Sequence, residues 1–152
     1  MFVLLLHPFA ALLAIREFVR QREWRTKSIA LKGAERVAAL ERHEIEGERL
    51  FRLVIVVIVL AFMGRIASTL LASEDLGIRT LMPGHFHGWS GLLGLGLMTY
   101  LWILGRKTSA KKVAGESFAR MKDLHVRLSD VMMGLIIIHA FLGFLYLLQL
   151  IA

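Results

Sequence analysis

Residues 51–72, 85–104 and 131–152 form three long apolar runs, interrupted by very few charges. A helix crosses the hydrocarbon core of a bilayer in roughly 20 residues, so each run is long enough to span. Residues 1–15 form a fourth run, which is short unless Phe18 and Val19 extend it. That run has no positive n-region and no small-x-small cleavage site, so it reads as a retained helix and not as a signal peptide. Hydrophobic residues fill 57% of the 152 positions, and the mean hydropathy is +0.62, far above a soluble domain. The expectation is an all-α integral membrane four-helix bundle of up-down topology. It forms one domain over residues 1–152, with spans near 1–19, 51–72, 85–104 and 128–152.

The formal charge of +7 is distributed unevenly. Ten Lys/Arg lie in residues 16–52 and seven in 105–127, whereas the 73–84 connection has only Arg79, opposed by Glu74 and Asp75. If four helices alternate in direction, both basic connections reach the same face, which the positive-inside rule makes cytoplasmic. Both termini and the 73–84 loop then lie on the other face. This sided arrangement argues for a lipid bilayer as the partner and against nucleic acid. The absence of cysteine excludes disulfides, iron–sulfur clusters and thioether-linked haem. Between helices one and two, Leu31, Val37, Ala38, Leu40 and Ile45 recur at near-helical spacing among Glu and Arg, which predicts a charged cytoplasmic helical connector running into the second span. Gly115 and Ser117 mark a turn in the 105–123 connection.

Ionisable groups inside membrane helices are rare and costly. Here six histidines occur: His7, His43, His85, His87, His125 and His139. Each expected helix has one in its N-terminal part. Alternating direction puts His7 with His85 or His87 towards one face, and His43 with His125 towards the cytoplasmic face. Helices one and three are diagonal in such a bundle, as are two and four. Two diagonal imidazoles at one depth make a bis-histidine site for a b-type haem, so two haems are expected, on His7/His87 and on His43/His125. His87 is preferred to His85 because Gly91, one turn on, leaves room on the ligand's own face. His139 is the rival outer ligand, 14 residues after His125 and on nearly the same face, about 21 Å along the helix. Its bland alternative is a buried hydrogen-bonding residue. Arg65, a cation inside the second span, suits a haem propionate or snorkels to headgroups. Glycines within the spans, including Gly64, Gly88, Gly91, Gly94, Gly96, Gly134 and Gly143, admit a neighbouring helix or a flat cofactor. Chlorophyll or no cofactor at all are the alternatives to haem. Zinc is less favoured, because no Asp, Glu or Cys joins the histidines within the spans.

His7-Pro8, Arg42-His43 with Gly47, His87 with Gly91, and Ala119-Arg120 ahead of His125 resemble motifs of the domain of unknown function 4079 family, four-helix membrane proteins of cyanobacteria and plastids. The resemblance covers nearly the whole chain. Two departures are a longer gap from Arg120 to His125 and His139 in place of a Gln. The histidine pattern is also similar to that of the ascorbate-reducible b-type transmembrane cytochromes. These resemblances imply an electron-carrying subunit of a larger redox or photosynthetic complex, in a bacterial inner or photosynthetic membrane, and not a stand-alone enzyme. Other membrane subunits are then its partners, and a quinone is a further one, although no quinone motif is visible. The alternative is a non-redox structural subunit, with or without pigment, that stabilises a membrane assembly.

Overall fold

The computed structural model describes residues 2–73 and 75–151; Glu74 and the terminal Met1 and Ala152 lie outside them. Six helices account for the fold: α1 (Phe2–Arg22), α2 (Trp24–Ala30), α3 (Gly33–Leu71), α4 (Ile78–Leu81), α5 (Phe86–Val113) and α6 (Ala119–Ile151). No strand occurs among the described residues.

The helix boundaries follow from local chemistry. α2 ends where Leu31 turns extended, and α3 begins at Gly33, whose φ of +53° a glycine adopts at little cost. From there no proline interrupts 39 residues, so the charged stretch 33–49 and the apolar run that follows form one helix. At 1.5 Å per residue α3 is about 58 Å long, roughly twice the hydrocarbon thickness. α5 begins at a side-chain cap: His85 Nδ1 accepts a hydrogen bond from the Gly88 amide at 3.1 Å. α5 and α6 both continue past their apolar runs, so most of the 105–123 connection is helical. The turn is confined to residues 114–118, where Gly115 takes φ +69°. Pro8 sits inside α1, which forgoes one backbone donor there.

Among the described residues, α3, α5 and α6 are long and apolar enough to cross a membrane. α1, with 21 residues and Arg16 and Arg20 in its second half, is not one of these. The exterior agrees with a bilayer as solvent. Leu93, Ile137, Phe141 and Phe144 are exposed, whereas among the described residues no large side chain is fully buried.

The helices associate in two pairs, α1 along α3 and α5 along α6. α3 meets α5 more lightly, and α1 barely touches α6. Phe18, Leu50, Met98, Leu101 and Met132 form the core between the pairs. At the basic end, Arg22 and Arg25 both reach Asp130 (2.6 and 2.7 Å), and Arg22 donates to the Ser129 carbonyl at 3.0 Å. These contacts tie the end of α1 and the start of α2 to α6.

Candidate metal centre

Three of the expected ligands meet. One ring nitrogen from each of His7, His87 and His139 lies within 4.8 Å of the other two. The His87 and His139 rings stack at 4.0 Å and 19°, and the His7 ring stands edge-on to His87 at 6.0 Å. All three are half-buried. His139, the rival to His7 and His87, is therefore the neighbour of both.

The hydrogen bonds fix which ring nitrogen remains for a ligand. His7 Nδ1 lies 3.1 Å from the Val57 carbonyl, and His87 Nδ1 lies 3.1 Å from the His139 carbonyl. A carbonyl only accepts, so the proton is on Nδ1 in both rings, as inferred from the network. Ser90 donates to the His87 carbonyl at 2.9 Å and is 2.9 Å from His139 Nδ1. With its hydroxyl proton committed, Ser90 accepts from His139 Nδ1–H. Each imidazole thus keeps its lone pair on Nε2. Metal-binding histidines show the same division of labour, with the second N–H held by a carbonyl or similar acceptor.

Glycine makes the close approach possible. A Cβ on Gly143 would lie 2.7 Å from His87 Cε1, and a Cβ on Gly91 would lie 3.1 Å from His139 Cε1. Each ring therefore rests on a glycine of the opposite helix. The sequence carries this reciprocity as a repeated His-x-x-x-Gly, once at His87 to Gly91 and again at His139 to Gly143. Only the first is evident as a ligand motif from the opening of a span. The second is a signal that periodicity alone passes over.

His85 has a different task. Besides capping α5, its ring packs on Tyr146 at 4.4 Å and lies 6.0 Å from His87. Arg65 turns towards the short connection, its Nε donating to the Thr80 carbonyl, and its Nη2 lies 3.8 Å from where a Cβ on Gly84 would be.

At the other end of α6, His125 Nδ1 donates to the Leu101 carbonyl at 3.1 Å, again leaving Nε2 with its lone pair. Gly105 faces that ring, where a Cβ would be 3.6 Å from Cε1, an ordinary contact. His43, eight residues ahead of the apolar run of α3, stacks on Trp24 at 5.5 Å and 19°. Burial, with the nearness of His125 as the smaller cause, pushes the His43 pKa down to about 4. Trp102, next in sequence to Leu101, stacks on Phe51 at 4.6 Å, and its Nε1 is buried without a hydrogen-bond partner. The Arg106 guanidinium lies 5.1 Å over the Trp102 ring.

No family model, curated protein or solved structure matches this chain. The residues themselves must therefore decide what the two ends can hold.

An iron with two axial imidazoles at about 2 Å each separates the ring centroids by about 6 Å. His7 and His87 have that spacing, at 6.0 Å. A porphyrin, however, fills the four equatorial positions of its iron, and a third imidazole nitrogen converges there within 4.8 Å of both. As arranged, the three-histidine cluster does not fit a haem. At the other end His43 lies near enough to His125 to feel its charge, a glycine faces the His125 ring, and Trp102 Nε1 is a buried donor without an acceptor, features that a haem site would use.

Proposed function

We propose that the protein is an integral membrane electron carrier with one b-type haem held by His43 and His125 and a second metal centre at His7, His87 and His139. The observation that carries this reading is the pair of imidazole sites on α6 whose Nδ1–H groups are already engaged, by Leu101 at one end and Ser90 at the other. His125 and His139 are 14 residues apart on that helix, about 21 Å, which is roughly two thirds of the hydrocarbon thickness. Two centres at that spacing would carry an electron most of the way across a bilayer.

When bound, the haem supplies a one-electron iron couple. The chain's own residues do the rest. His125 presents Nε2 because Leu101 holds Nδ1, and stacking on Trp24 orients His43. Burial favours the neutral form of both imidazoles, the form that can ligate. Trp102 Nε1, and the Arg106 guanidinium that now pairs with Glu48 at 3.6 Å, would be the donors for a propionate. In this reading α1 is the fourth span of an up-down bundle, and the basic ends of α1 and α5 face the cytoplasm with the helical connector. Both termini lie on the opposite face, and the chain works inside a larger membrane complex.

The decisive measurement is a reduced-minus-oxidised visible spectrum with a haem count on the purified protein. One b-type haem per chain, lost in His43→Ala and in His125→Ala, is expected. A colourless protein would overturn the reading. A reporter inserted near Lys111 should report the cytoplasm, and the opposite result would reverse the sidedness.

A further inference from the structure

We infer that the three-histidine cluster binds a first-row transition-metal ion directly through His7, His87 and His139, without a porphyrin and with a fourth coordination position open. This deepens the reading of the chain as a metalloprotein, but it does not depend on a haem at the other end.

Three observations carry it. First, the convergence is threefold: one ring nitrogen from each residue lies within 4.8 Å of the others. A tetrahedral ion bound at about 2 Å holds its ligand nitrogens about 3.4 Å apart and their ring centroids about 5 Å apart, so on an ion the nitrogens draw together while the His87 and His139 rings, now 4.0 Å apart, turn out of their stack. Second, every ring has its Nδ1 engaged, by Val57, the His139 carbonyl and Ser90, which leaves Nε2 as the nitrogen for the ion. Third, Gly91 and Gly143 admit both α5–α6 rings at once. A haem needs two of these imidazoles and leaves His139 without a purpose; a bare ion uses all three.

The donor set selects the ion. Imidazoles suit zinc, copper, iron and nickel, whereas magnesium and calcium demand oxygen ligands. Three neutral ligands do not compensate the ion's charge, so the fourth position favours a hydroxide or another anion. His7 comes from the α1–α3 pair, and His87 and His139 come from the α5–α6 pair. The ion would therefore bridge the two halves.

The test is titration of the chelator-stripped full chain in detergent with Co²⁺ alone. One Co²⁺ per chain is expected, with the intense visible ligand-field absorption of a four-coordinate ion. His7→Ala, His87→Ala and His139→Ala should each abolish that absorption, and His139→Gln should do so with helix content unchanged, which separates lost ligation from lost folding. Wild-type protein that takes up no Co²⁺ would overturn the inference, as would His139→Gln protein that keeps the full signal. So would a second haem that is lost in His7→Ala and His87→Ala but kept in His139→Gln. A protein without haem that still binds Co²⁺ at these three residues would refute the haem reading and leave this one standing.

Discussion

The two ends of the α5–α6 pair follow one local rule and reach different outcomes. At each end a histidine ring of one helix lies against a glycine of the other, and its Nδ1 is held by a neighbouring acceptor. At the His125 end that pattern occurs once, with Gly105, and the remaining imidazole, His43, comes from a helix packed elsewhere. At the His87 end it occurs twice and reciprocally, and His7 adds a third ring. One pattern, used singly or doubly, thus separates an end with one ring seated on a glycine from an end where three imidazoles converge.

The largest effect should follow from removing a ligand at one end. His125→Ala is expected to abolish the haem spectrum while leaving Co²⁺ uptake at the other end intact. If both signals vanished together in a protein of normal helix content, the two ends would not be separate sites.

A graded set of glycine substitutions sharpens the contrast. In Gly143→Ala the new methyl would lie 2.7 Å from His87 Cε1, so the ring must move. Metal affinity at the three-histidine cluster should fall about 10–100-fold, as it does when the support of a ligand is lost, and stability by about 1–3 kcal/mol. Gly91→Ala, at 3.1 Å, should cost less, and Gly105→Ala, at 3.6 Å, should leave haem content near wild type. Equal effects at all three positions, read by metal titration and thermal unfolding, would show that ring–glycine packing does not set the difference.

Ser90→Ala removes the hydroxyl against His139 Nδ1 and should weaken metal binding by about tenfold without touching the haem. The smallest effect should come from Asp130→Asn. Its pairs with Arg22 and Arg25 are partly exposed, Asp130 itself by 50%, so about 0–1 kcal/mol is expected in unfolding measurements. A loss several times larger would make this clamp, and not the histidine cluster, the main tie between the helix pairs.

Much of the fold is legible in the amino-acid sequence, because the need to satisfy every backbone group in lipid leaves a long apolar run little choice but helix. α3, α5 and α6 are visible in this way. Their ends are not, since a backbone ladder continues through Arg106 and Lys111 as readily as through leucine. The candidate histidines are legible by type and depth, but their grouping is not. The partner of His7 is a backbone carbonyl, Val57, and no side-chain pattern encodes it. His139 reads as a competitor to His7 and His87 only if a site is assumed to take two ligands. The second His-x-x-x-Gly, from His139 to Gly143, would have pointed to its pairing with the first. The unpartnered Trp102 Nε1 has no sequence signal at all, because it depends on how Phe51 and α5 pack.

The matched glycine contacts also set how this chain can change in length. His87 faces Gly143 and His125 faces Gly105, and the two contacts are equally far apart along α5 and along α6. Inserting one residue in either helix between them would rotate everything beyond by about 100°, since a helix has 3.6 residues per turn. Whichever contact stayed in place, the other ring would meet a side chain where it now meets a glycine. Insertions and deletions are therefore tolerable only in the 114–118 turn or outside the two contacts, or as matched changes in both helices. Homologous chains that keep both ring–glycine contacts should share one fixed spacing from His87 to Gly105 and the same spacing from His125 to Gly143, however much the turn between them varies.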